Sequence, residues 1–154
     1  MMNEKKNNNE PDLSIILPTY NESLTIEKML DAIATAVPPR INVEVLVIDD
    51  DSPDGTSKIV NSYIQKSKGV ISFRVHTRKG KRGLSSAVID GIGLAYSKFV
   101  LVMDSDFSHP PQIISIMYDE LVDGGLDIVV GSRYVEGGKY EEWPITRKLI
   151  SKIG

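Results

Sequence analysis

The sequence predicts an α/β fold: a mainly parallel sheet with helices on both faces. Two observations predict it. Short apolar runs alternate along the chain with longer segments whose apolar residues recur at helical spacing, the pattern of successive βαβ units. Proline, glycine and aspartate stand at nearly every change from one kind of segment to the other. The bulk numbers agree, since 154 residues suffice for one domain with a real core, and 41% hydrophobic with 25% charged residues is ordinary for a globular chain.

The opening MMNEKKNNNEPD is polar and carries no apolar signal segment, so residues 1–11 are expected to be a disordered tail and 12–154 the domain. Ser14 to Leu17 reads as a first strand, stopped by Pro18. From Ser23, Leu24, Met29, Leu30, Ile33 and Val37 fall near helical spacing until Pro38-Pro39. Val43 to Ile48 is a second strand, and Thr56 opens a helix with Ile59, Val60, Tyr63 and Ile64 on its apolar face. Val70 to His76 alternates like a third strand. After the loop RKGKRG, the residues Leu84, Ala87, Val88, Gly91, Ile92 and Ala95 make a third helical face. Phe99 to Met103 is a buried fourth strand, Pro111 to Val122 a helix, and Asp127 to Val130 a fifth strand. The last stretch, WPITRKLISKIG, reads as a helix entered through Pro144 and cut short, so the domain is expected to be truncated on its C-terminal side.

Composition excludes several functions. A net charge of −3 gives no basic field for nucleic acid. There are no cysteines for disulfides or thiolate metal sites, and two histidines are too few for a histidine-based zinc site. No apolar run reaches the ~18 residues needed to span a bilayer, so a cytoplasmic location is expected.

Ligands of open parallel sheets bind beyond the carboxyl ends of the strands, and those ends are rich in charge. They carry Pro18-Thr19-Tyr20-Asn21-Glu22, Asp49-Asp50-Asp51-Ser52-Pro53-Asp54-Gly55, Thr77 to Gly83, Asp104-Ser105-Asp106, and Gly131-Ser132-Arg133-Tyr134. Acid beside base suggests a hard cation together with a phosphate, and oxygen-only ligands favour Mg²⁺ or Mn²⁺. Asp104 and Asp106 lie two apart on extended backbone, so both can face one ligand. Each signal also has an ordinary explanation. A lone D-x-D can be a solvated turn, Asp54-Gly55-Thr56 is turn and cap chemistry, the basic loop can be solvated surface, His109 before two prolines can be structural, and Gly91 and Gly93 can be close-packing positions. Their coincidence on one sheet edge is what points to a site.

Five phrases, ILPTYNE (16–22), VIDDDSPDGT (47–56), KGKRGLSSAVIDGI (79–92), VMDSDFSHPP (102–111) and DIVVGSRY (127–134), occur in an order and spacing that resemble glycosyltransferase family 2 with the Rossmann-like GT-A fold. Within it the chain is similar to the polyprenyl-phosphate branch, which includes the dolichol-phosphate mannose synthases, over residues 12–153. The resemblance implies inverting transfer of a sugar, usually mannose from GDP-mannose, to a polyprenyl or dolichyl phosphate at the cytoplasmic face of a membrane. It implies that Pro18, Tyr20 and Glu22 wall the nucleotide, and that Ile48 and Asp50 contact base and ribose. It makes Asp104, Ser105 and Asp106 the contacts to sugar diphosphate and metal, with Asp106 the principal metal ligand and Ser108 an additional one. It puts Arg133 between donor and acceptor phosphates, with Asp104, Asp106 and Arg133 as the catalytic set, and Arg147 and Ser151 on the lipid phosphate. Rival readings are a nucleotide-sugar-binding module without turnover and a family member using another donor or acceptor. A phosphoacceptor receiver domain expects an acidic pair after strand one and a Lys after strand five, which are absent. A dehydrogenase expects G-x-G-x-x-G after strand one, also absent.

Overall fold

The computed structural model describes residues 10–132. Contacts divide the chain into two compact units, 1–118 and 119–154. The first holds β1 (Leu13–Thr19), α1 (Ile26–Ala36), β2 (Val43–Asp49), α2 (Thr56–Lys66), β3 (Ser72–Thr77), α3 (Leu84–Leu94) and β4 (Phe99–Val102). A 3₁₀ turn (Pro111–Ile113) leads into α4 (Ile114–Asp123). The four strands are all parallel and ordered β3-β2-β1-β4. The chain therefore builds outward from β1 through β2 to β3 and then returns to the other side of β1, which makes a topological switch point beside β1.

Alternation along the strands decides which helix covers which face. Leu13, Ile15 and Leu17 share one face with Val43, Val45, Val47 and Phe73, and pack with Met29, Leu30 and Ile33 of α1, Val60 of α2 and Ile114 of α4. The opposite face carries Ile16, Leu46 and Ile48 against Ala87 of α3. Gly91 is required there: a Cβ at this position would stand 2.7 Å from Ile16 Cγ2 and 3.2 Å from Ile48 Cγ1. Near the amino ends of the strands the same face holds a buried polar knot. Glu44 accepts from Ser14 Oγ and the Tyr96 amide, each at 2.6 Å, and from Arg74 Nη1 at 2.8 Å. Arg74 also lies 4.1 Å over the Tyr96 ring.

Several expectations need correction. β1 does not stop at Pro18 but runs to Thr19. In a parallel sheet successive residues turn their backbone groups to alternate neighbours. Thr19 O accepts from Asp50 on the β2 side and Ile16 O from Met103 on the β4 side, so the missing Pro18 N–H faces the β4 side, where the paired residues have already ended. α1 begins at Ile26 rather than Ser23, because the Ser23 amide is taken by Asp54 Oδ2 and Leu24 stands 88% exposed. β4 is half-buried rather than buried, since among the described residues it pairs only with β1. On α3 only Ala87 and Gly91 are buried, while Leu84 and Ile92 of the expected face are exposed: the small residues make the close contact and the larger ones flank it.

In the second unit, Gly125 at φ 61 ends α4, with the Leu126 amide donating to Leu121 O. Asp127–Val130 is irregular rather than a fifth strand, and Ile128 and Val130 are each 77% exposed. Their apolar β-branched sequence favours a strand, but a strand exists only where a partner pairs with it, and no described strand does. The expected tail up to residue 9 and the C-terminal helix lie outside the described residues.

Candidate nucleotide and metal site

Three aspartates in a row leave β2, and long-range partners give them different environments. Asp49 is fully buried and accepts from Thr19 Oγ1 (3.1 Å), Ser52 N (3.0 Å), Ser52 Oγ (2.6 Å) and Ser57 Oγ (2.8 Å), so it is spent on holding the 49–57 loop. Asp50 pairs through Oδ1 with Nε and Nη2 of Arg78, and through Oδ2 accepts the Gly83 amide at 2.8 Å. Asp51 is exposed, in left-handed backbone at φ 53. Asp54, further along, accepts from Thr56 N (3.0 Å), Thr56 Oγ1 (2.6 Å) and Ser23 N (2.9 Å). What burial it has pushes its pKa up, but those hydrogen bonds outweigh this and hold it at about 2.

Arg78 is the residue the sequence did not reveal. It begins the RKGKRG loop, and the loop as a surface would have left it solvated; instead its side chain is fully enclosed. Besides the fork to Asp50, Nη1 donates to Ser86 Oγ (2.9 Å) and Asp90 (3.2 Å) and Nη2 to Gly83 O (3.1 Å). Burial works against its charge, yet the bonds to Asp50 and Asp90 prevail and raise its pKa. The signal that could have found it is the acid-rich end of β2 beside the base-rich end of β3, which adjacent parallel strands bring together. The rest of the loop is exposed, and with Asp50 and Asp51 its residues Gly80, Lys81 and Arg82 line an open cleft of about 380 Å³. Arg82 lies 4.7 Å over the Tyr20 ring.

Beyond β4, Asp104 and Asp106 enter a tight turn. The Asp104 amide donates to His109 Nδ1 (3.0 Å), Asp106 Oδ1 accepts the Ser108 amide (2.9 Å), and Phe107 between them has φ 65. Burial pushes the Asp106 carboxyl up, but the bonds from Ser108 and the nearby His109 leave it below its usual range. Ser105 is buried and donates to Pro18 O at 3.5 Å, tying this turn to the end of β1. No three acidic or histidine side chains cluster as a ready-made cage among the described residues. The Asp104 side chain is 47% exposed, and with Asp106 it offers carboxylates alone, without thiolate. That donor set fits Mg²⁺ or Mn²⁺, which take one or two carboxylates with phosphate and water oxygens.

The structure thus brings Pro18 to Ser105, Tyr20 to Arg82 and Asp50 to Arg78. The Glu22 carboxylate accepts from Thr25 Oγ1 at 2.5 Å, and its amide is bound to Thr56 Oγ1. Ile48 is fully buried beneath α3, away from the cleft lining. Arg133, Arg147 and Ser151 lie outside the described residues. No described helix is long and apolar enough to cross a membrane.

The family described as Glycosyl transferase family 2 matches residues 14–153. A dolichol-phosphate mannosyltransferase of Pyrococcus furiosus is 44% identical over 140 residues, 91% of this chain and 38% of that protein. A polyprenol monophosphomannose synthase of Mycolicibacterium smegmatis is 39% identical over 143 residues, 90% of this chain and 51% of that protein. This chain therefore spans about half or less of the length of these relatives. Among solved structures, the mannosyltransferase PcManGT of Pyrobaculum calidifontis, in complex with GDP-Man and Mn²⁺, aligns with a TM-score of 0.58 and 31% identity over 63% of this chain and 28% of that one. The α/β sheet described above is thus of the GT-A type.

Proposed function

From a chain that belongs to glycosyl transferase family 2, we propose a transferase domain that moves a sugar from a nucleotide donor to the phosphate of a polyprenyl or dolichyl lipid. The donor is GDP-mannose, the stereochemistry inverts, and the acceptor is met at a membrane surface. The observation that carries this reading is the sheet edge itself. A two-carboxylate turn after β4 and a mixed-charge cleft after β2 and β3 lie on either side of β1. The names of the relatives and the ligands of the mannosyltransferase neighbour support it.

Asp104 and Asp106 would hold Mg²⁺ or Mn²⁺ against the donor diphosphate, where a divalent ion supplies neutralisation of the leaving group's charge. Ser105 and His109 fix that turn by their bonds to Pro18 and Asp104. The attacking atom is an oxygen of the lipid phosphate. Its bond to the sugar's anomeric carbon forms as the bond to the nucleoside diphosphate breaks, and the departing diphosphate takes the electron pair. The acceptor is already anionic near neutral pH, so no general base is required. Arg133 and Arg147 are assigned to offset the repulsion between the two phosphates, with Ser151 beside the acceptor.

Calorimetry with GDP and UDP, with and without Mn²⁺, tests this. GDP should bind with Mn²⁺, and Asp106→Ala should weaken that binding by roughly tenfold or more, about 1.4 kcal/mol. Absence of nucleoside diphosphate binding, or an Asp106→Ala variant that binds metal and GDP normally, overturns the assignment. The partial span of the relatives also favours a second reading, donor binding without turnover by this chain alone. Binding without transfer here, and transfer by a C-terminally extended chain, would establish it.

A further inference from the structure

We infer that the Nε2 hydrogen of His109 is a ligand contact: it donates a hydrogen bond to the diphosphate of the nucleotide sugar at the turn after β4. This rests on the proposed donor site. The direction of one hydrogen bond places that hydrogen. His109 Nδ1 accepts the Asp104 amide at 3.0 Å, so Nδ1 carries no hydrogen and the ring's hydrogen stands on Nε2. Nε2 in turn lies 3.9 Å from Asp104 Oδ2, too far for a hydrogen bond. Among the described residues it meets no other acceptor. The side chain is 45% exposed, which leaves this N–H open to a ligand.

The ring is fixed before any ligand arrives. Pro110 follows it at φ −71 and accepts the Ile113 amide at 3.2 Å, while Pro111 and Ile114 are buried. A residue that precedes proline is itself restricted. With the backbone and Nδ1 both held, Nε2–H keeps one direction, and a preorganised donor costs little to use. Closing the turn accounts for Nδ1 alone, a task that an asparagine carbonyl could also perform. It gives no reason for the second nitrogen.

The surroundings supply that reason. The turn's hydroxyls are spent, Ser105 on Pro18 O and Ser108 on Asp106, and its two carboxylates can only accept. Lys79, Lys81 and Arg82 follow β3, with β2 and β1 between them and β4. Nε2–H is therefore the uncommitted side-chain donor of this turn among the described residues. An anion drawn to Asp104 and Asp106 together with Mg²⁺ or Mn²⁺ comes to rest beside Asp104, and so beside the ring. The diphosphate is that anion. A hydrogen bond to a charged acceptor is about twice as strong as one to a neutral group. It strengthens further as the sugar departs and charge gathers on the diphosphate. An uncharged sugar hydroxyl gains less from the same N–H.

The test is ¹⁵N NMR of the full 154-residue chain labelled at histidine, in Mg²⁺. The sequence has two histidines, so two rings are seen and His109→Asn assigns them. Bound GDP should move the His109 Nε2–H resonance downfield and slow its exchange with water, with Nδ1 still bare. GDP-mannose should do the same. Calorimetry adds a second measurement, because His109→Asn keeps an acceptor for the Asp104 amide but lacks Nε2–H. That variant should bind GDP roughly tenfold more weakly than the unaltered chain. A His109 ring unmoved by bound GDP overturns the inference and leaves the donor site standing, whatever the variant does. A ring moved by GDP-mannose but not by GDP gives the hydrogen to the sugar and overturns the diphosphate assignment. Equal affinity of His109→Asn and the unaltered chain for GDP overturns it too. A chain that binds neither nucleotide overturns the donor site itself.

Discussion

Replacing Arg78 by Met asks whether the cleft rests on a buried ion pair. The guanidinium is fully enclosed and the Asp50 side chain is 8% exposed. The substitution deletes the fork to Asp50 and the bonds to Ser86, Asp90 and Gly83, leaving Asp50 one donor, the Gly83 amide. Methionine keeps most of the apolar stem, so the loss is chiefly electrostatic. A buried charge stripped of its partner costs about 3–5 kcal/mol. Lys81→Met is the internal comparison: its ammonium is 64% exposed, so its pair with Asp90 is worth under about 1 kcal/mol. With a urea dependence of about 2 kcal/mol per M, the unfolding midpoint should fall by roughly 2 M for Arg78→Met and under about 0.5 M for Lys81→Met. Adding Asp50→Asn to Arg78→Met removes the stranded charge and should return about 2 kcal/mol of coupling. Equal midpoints for the two single variants, or no recovery in the double, would refute the reasoning.

Gly91→Ala should destabilise by about 1–3 kcal/mol in thermal unfolding, because its methyl meets the branched, buried Ile16. Gly93→Ala, on the same helix with nothing within 4 Å, should stabilise by up to about 1 kcal/mol; identical signs would sink the packing account. Asp54 has a folded pKa of about 2, below its ordinary 3.8, so the stability it contributes is full above that ordinary value and drains as pH falls towards 2. Asp54→Asn should flatten acid unfolding in that window, and an unaltered acid profile contradicts it.

The fold was legible because period two and period 3.6 are local properties: Ile15 and Ile16 face opposite ways whatever else the chain does. What needed a partner was not legible. Phe99–Val102 and Asp127–Val130 are both apolar runs, yet among the described residues only the first has a neighbouring strand to pair with. Asp49, Asp50 and Asp51 are one letter repeated, and what separates the first two is the partner each finds, Ser57 for one and Arg78 for the other. Asp104 and Asp106 were legible as a neighbouring pair of acids at a strand end. The expectation that they face one way assumed extended backbone, but β4 ends at Val102 before a turn held by His109 and Ser108. The burial of Arg78 was not legible, because the partner that draws it inward lies 28 residues earlier.

The knot at Glu44 bears on the site from the far end of the sheet. Apolar alternation tells β2 which face to bury but not how far to slide, because a shift by two residues returns every side chain to its own face. Such a shift would move Glu44 off Ser14 and place it beside the buried Ile16, a charge without donors. It would also carry the end of β2 along by about 6.6 Å, breaking Asp49 from Thr19 and moving Asp51 away from where the cleft now holds it. A buried carboxylate at one end of the sheet thereby sets the alignment on which the opposite rim depends.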